Sequence, residues 1–97
     1  MHARMNRIEA SPERIDDAAR RFEETIVPLL QGLDGFQGCV VLANRSTGTS
    51  IAISYWETEE AMRASEDAVS QPRADAAAAA EARSEPIVER FEVVVQV

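Results

Sequence analysis

Residues 3–9 alternate weakly between apolar and polar, with Met5 on one face and Arg4, Asn6 and Ile8 on the other, as a half-buried strand would. Ser11-Pro12-Glu13 then reads as a helix start: Ser can cap, Pro fits the first helical position, and Glu suits the positive end of the dipole. Ile15, Ala18, Ala19, Phe22, Ile26, Leu29 and Leu30 follow at spacings of three and four, which predicts one apolar helix stripe against a sheet. Pro28 should bend or tighten the last turn, and Gly32 and Gly35 end the helix. Residues 36–44 predict a second strand whose centre, Cys39 to Ala43, is apolar on both faces, so both should be covered. After a loop at Asn44–Gly48, the third strand over 49–56 puts Ile51, Ile53 and Tyr55 on one face and Ala52, Ser54 and Trp56 on the other.

Thr58 can cap the next helix, continued by Ala61, Met62, Ser65, Ala68 and Val69. Gln71-Pro72 should interrupt it, leaving a second helical piece from about Arg73 to Arg83 that includes the alanines Ala76 to Ala80. Pro86 opens a last strand, Ile87 to Val97. At about 3.3 Å per residue that strand spans roughly 36 Å, against about 20 Å for the first, so its end must pair elsewhere or stay a sticky edge. The succession β-α-β-β-α-β is α+β, with helices on one sheet face. The bare Val-rich face predicts a homodimer through the sheet face and the C-terminal strand.

The chain has 97 residues, which predicts a single domain over 1–97, and a hydrophobic share of 45% marks it as globular. Seventeen acidic against ten basic side chains give a net charge of −7. With no Lys and scattered Arg, neither nucleic acid nor an anionic membrane is an expected partner. No signal-like segment and no run of eighteen apolar residues occurs, which predicts a cytoplasmic protein. Cys39 is the only cysteine and reads as a small buried hydrophobe.

Gly35-Phe36-x-Gly38 at the entry to strand two, the junction Tyr55-Trp56-Glu57-Thr58-Glu59-Glu60-Ala61, and the terminal Val88-Glu89-Arg90-Phe91-Glu92-Val93 resemble the antibiotic biosynthesis monooxygenase family of dimeric α/β barrels. The resemblance implies a ferredoxin-like monomer with sheet order 4-1-3-2, paired so that two sheets enclose a barrel. It also implies a ligand pocket between sheet and helices. The haem-degrading branch of that superfamily uses an Asn on the first strand, matched by Asn6, and a Trp and an iron-ligating His on the second helix. Those two fall near Ser65 and Asp75, and no His follows His2, which weighs against haem degradation.

The oxygenase branch implies chemistry without metal or flavin on a small aromatic or quinol-type metabolite, which once deprotonated passes an electron to oxygen. Such a site wants an apolar, water-excluding pocket and a group to orient the substrate oxygen. Asn6 is the candidate orienting residue, and Trp56, Ser65, Met5, Phe22 and Met62 are candidate pocket residues. Each also has a plain structural reading, Trp56 as a corner plug and the Met and Phe side chains as core fillers. Tyr55 cannot share a wall with Trp56, and His2 at a terminus is expected to be frayed and solvated. The pairs Asp16-Asp17, Glu23-Glu24 and Glu59-Glu60 are helix neighbours that diverge, and no metal-ligand spacing is present. The rival reading is a non-enzymatic ligand-binding or stress-related homodimer of the same fold, its pocket a ligand store or filled by Met and Phe.

Overall fold

The computed structural model describes residues 1–79 and 81–97; Ala80, the last of the Ala76–Ala80 run in the expected second helical piece, lies outside them. Four strands, β1 (His2–Glu9), β2 (Phe36–Asn44), β3 (Thr49–Trp56) and β4 (Ile87–Glu92), form one antiparallel sheet in the order β2-β3-β1-β4. Between them lie α1 (Ile15–Arg21), α2 (Val27–Gln31), α3 (Glu59–Ala64) and α4 (Glu66–Ala79). This is the ferredoxin-like α+β arrangement expected from the sequence.

Register fixes the faces. Arg4 lies opposite Ser54, Asn6 opposite Ala52, and Val41 also opposite Ala52, on the face the helices cover. Met5 lies opposite Ile53, Ala3 opposite Tyr55 and Phe91, and Val40 opposite Ile53, on the other face. Under the helices Ile26, Leu30, Trp56, Met62 and Val69 form the core, with Phe22, Leu29 and Phe36 packed around it. Close approach sets one glycine position: a Cβ on Gly35, which has φ +78°, would lie 2.6 Å from the Ala61 side chain.

Several expectations are corrected. The first helix does not simply bend at Pro28; Phe22–Ile26 form a π-helical turn in which the Val27 N–H reaches the Phe22 carbonyl. A regular turn would drive the Pro28 ring into the carbonyl four residues back, and the wider turn avoids that clash. Ser11 makes no side-chain cap, whereas the Thr58 hydroxyl accepts the Ala61 N–H at 3.0 Å.

The second helix breaks at Ser65 and not at Pro72, which lies inside α4. The Ser65 hydroxyl donates to the Met62 carbonyl at 2.6 Å and Arg4 donates to the same oxygen, drawing it out of the helical ladder. Around Pro72 a Gln71 to Asp75 side-chain hydrogen bond of 2.9 Å spans the turn.

Strand β4 ends at Glu92, five residues short of the expected Val97; it pairs with β1, and the rung beyond it is Val93 N–H to the Met1 carbonyl. His2 is not frayed. It pairs with Trp56 and Glu92 inside β1. Nor are both faces of β2 covered within the protomer, since Val40 and Leu42 stay exposed, as do Ile87 and Phe91 on the same sheet face. No helix among the described residues is long and apolar enough to cross a membrane.

Candidate functional site

Where α1 crosses the sheet, both walls carry small side chains: Ala18 and Ala19 above, and Ala43, Ser50 and Ala52 below. Two such surfaces cannot interdigitate to native density, and a cavity of about 210 Å³ remains between them. Ile8, Ile15, Phe22, Ile26 and Val41 complete an apolar lining. The π-helical turn belongs to the site, because it carries both Phe22 and Ile26. At the mouth Arg45, in the β2–β3 loop, holds Asp16 of α1 through hydrogen bonds of 2.9 and 3.2 Å. Hydrogen bonding to Arg45 holds the Asp16 carboxyl below its ordinary range.

Asn6, with Ser50, is a polar group set in the sheet wall. The Asn6 Oδ1 is buried and has no hydrogen-bond partner among the described residues. An unpaired buried amide oxygen costs about 1–3 kcal/mol, an outlay difficult to explain in a wall that a hydrophobe could line. An incoming hydroxyl would donate to that oxygen only once the amide had turned into the cavity that Asn6 lines, with the ring along Phe22 and Val41.

The cavity adjoins a smaller one of about 30 Å³, with Asn6, Phe22, Ile26 and Ala52 in both linings and Arg4, Ser54 and Arg73 at its far end. Arg4 is only 4% exposed. Its Nη1 donates to the Met62 carbonyl at 3.1 Å and the Ser65 hydroxyl at 2.7 Å, and its guanidinium lies 5.4 Å from the Trp56 ring centre. Burial, with Arg73 beside it, lowers the Arg4 pKa to about 10.

The candidate residues therefore divide three ways. Asn6 and Phe22 line the cavity. Trp56, Ser65 and Met62 sit together in the packed core below it: Trp56 is fully buried, its indole N–H donates to Ser54 Oγ at 2.9 Å, and it meets Phe36 edge to face at 5.5 Å. Met5 belongs to the opposite sheet face, because its strand alternates and Asn6 takes the covered side. Tyr55 shares that open face, and Cys39 is half-buried with its thiol pKa raised by burial.

The haem-branch positions offer no iron ligand, since Ser65 is committed to Arg4 and Met62, and Asp75 is exposed and accepts from Gln71. Residue patterns missed Arg4, Ala52 and the small-residue walls. One signal was available: Arg4 alternates onto the same strand face as Asn6 and Ile8, so a guanidinium had to lie under the helices.

Three comparisons bear on this geometry. A family model described as antibiotic biosynthesis monooxygenase matches residues 1–78. An uncharacterised Mycobacterium tuberculosis protein, Rv2558, is 42% identical over 77 residues, a match covering 79% of this chain and 33% of that protein. This chain spans about a third of the length of the curated relatives it matches. Among solved structures, a Streptomyces coelicolor monooxygenase from ActVA-Orf6, in complex with nanaomycin D, superimposes with a TM-score of 0.83 at 11% identity, covering 99% of this chain and 89% of that one. SnoaB, a cofactor-independent oxygenase from Streptomyces nogalater, gives 0.70 at 18%, covering 99% and 95%.

Proposed function

We propose, from the premise that this chain belongs to the antibiotic biosynthesis monooxygenase family, that it is a cofactor-independent monooxygenase acting on a small aromatic or quinol-type metabolite held between α1 and the sheet. The observation that carries this reading is the unpartnered Asn6 oxygen in the wall of a largely apolar cavity. Asn6 accepts the substrate hydroxyl and fixes the ring, while the aliphatic walls exclude water from the electron-rich anion. Asp16, its acidity increased by Arg45, is a weak base, so the substrate supplies its own acidity as a phenol or enol. Net conversion of a ring methylene and O₂ to a carbonyl and water balances without any further oxidant. The fold comparisons support the architecture, and the nanaomycin D complex belongs to the Streptomyces coelicolor protein alone.

A cavity of about 210 Å³ lies below the roughly 300–1,000 Å³ usual for drug-sized ligands, which restricts the substrate to about two fused rings. Oxygen uptake measured across one- and two-ring hydroquinones tests the reading. At least one should be consumed above background, with a loss of tenfold or more in Asn6→Ala, on the order of one orienting hydrogen bond. No uptake across the panel would remove the enzymatic reading for these substrates and favour a ligand-binding protein of the same fold.

The functional unit in this reading is a homodimer joined through the open sheet face and the C-terminal segment. Support comes from Leu42, Ile87 and Phe91, each about half exposed on one face, and from Val94 and Val95 standing free beyond β4. Sedimentation equilibrium at micromolar concentration should return twice the 10.7 kDa protomer mass; a monomer throughout would refute the pairing.

A further inference from the structure

Of ten arginines in a chain of net charge −7, six are paired with carboxylates: Arg7, Arg14, Arg20, Arg45, Arg63 and Arg90. Arg45, at the cavity mouth, is one of these, but the two that line the adjoining recess are not. Arg4 is buried, and Arg73, on α4, is half-buried; neither has a carboxylate within ion-pair distance among the described residues. The nearby carboxylate, Glu66, is engaged by Arg90. Three guanidiniums thus gather around one acid, inside an acidic protein.

Burying a cation without an anion is costly, and a neutral side chain on β1 would avoid the cost. Arg4 uses Nη1 for Met62 and Ser65, while its Nε and Nη2 hydrogens meet no acceptor among the described residues. Neither nitrogen is sealed off, since Asn6 Oδ1 is the buried side-chain atom left without a partner among the described residues. Both arginines line the 30 Å³ recess, which is the size of about two waters or one carboxylate and shares Asn6, Phe22, Ile26 and Ala52 with the lining of the apolar cavity.

The geometry points to a substrate that is an aromatic acid: its rings lie in the apolar cavity, its hydroxyl meets Asn6, and its carboxylate enters the recess between Arg4 and Arg73. A planar guanidinium suits a carboxylate, and charge-assisted hydrogen bonds are about twice as strong as neutral ones. Lowered basicity at both arginines, caused first by burial, is what an anion would relieve. Burial of Arg4 against Trp56 and Ser65 holds one guanidinium in place, and Arg73 supplies the second from the helix above.

This inference rests on the cavity being the ligand site, and calorimetry with 2-naphthoate and 2-naphthol separates the two claims. The wild-type protein should bind naphthoate at least about tenfold tighter than naphthol, a preference that shrinks with added salt. Arg73→Gln should abolish most of that preference while leaving naphthol affinity within about twofold. Because Arg4→Met also removes the Met62 and Ser65 contacts and could unfold the protein, Arg73→Gln and Arg73→Lys carry the decision, with Lys retaining part of the preference. Naphthol binding without preference for the acid, or a preference unchanged in Arg73→Gln, overturns the acid recess and leaves the cavity reading intact. Binding of neither ligand at millimolar concentration overturns both.

Discussion

Replacing Trp56 by alanine should lower the free energy of unfolding by about 3–5 kcal/mol, the range for a fully buried aromatic truncated in a core that cannot collapse around the gap. Trp56 is completely buried where β3 turns into α3, in edge contact with Phe36 and packed among Leu30, Met62 and Val69. Its loss also uncovers the guanidinium of Arg4 and leaves Ser54 Oγ without the indole donor. A domain of this size has only about 5–15 kcal/mol in total, so the variant should unfold far earlier in urea and melt about 15 °C lower or more. Trp56→Phe keeps much of the volume but not the N–H, and should lose about 1–2 kcal/mol. A loss below about 1.5 kcal/mol in Trp56→Ala would mean that this corner is not the keystone of the core.

Changing Asn6 to leucine should move stability and activity in opposite directions. The native amide oxygen is buried without a partner, so a hydrophobe of similar volume against Ala52, Phe22 and Ile26 relieves a desolvation penalty and should stabilise the fold by about 1 kcal/mol. On the proposed function the same change also removes the group that would orient the substrate hydroxyl, and turnover should then fall on the order of 10²-fold, the scale of losing one preorganised polar contact in an active site. Parallel melting and oxygen-uptake measurements decide it. A destabilised variant would show that Asn6 serves the sheet, and a stable variant of undiminished turnover would show that it does not touch substrate.

Most of the frame was legible because it rests on local periodicity. Two-residue alternation through Met5, Asn6, Ile51 and Ala52 assigned the sheet faces, and the Ile15 to Leu30 stripe assigned the helix that closes the cavity. What escaped depended on partners distant in sequence. The helix breaks at Ser65 because Arg4, sixty-one residues away, takes the Met62 carbonyl and the Ser65 hydroxyl together, and no local rule sees that. Strand β4 stops at Glu92 where its pairing with β1 stops, although the residues beyond it favour extension. The cavity was the hardest feature to read: it is made by Ala18, Ala19, Ala43 and Ala52, residues that carry no chemistry and matter through the volume they leave empty. Asn6 was found through family resemblance and Phe22 through its place on the stripe, while Trp56 and Met62, equally prominent in sequence, went to the core.

Nitrogen-15 amide NMR of the protein titrated with 2-naphthol measures most directly whether the space between α1 and the sheet is where a ligand goes. Shift changes should concentrate at Asn6, Phe22, Val41, Ala52 and Ala76, around the cavity, and leave Met5, Leu42 and Phe91 on the opposite sheet face undisturbed. Changes confined to that opposite face, or none at millimolar ligand, would contradict the account.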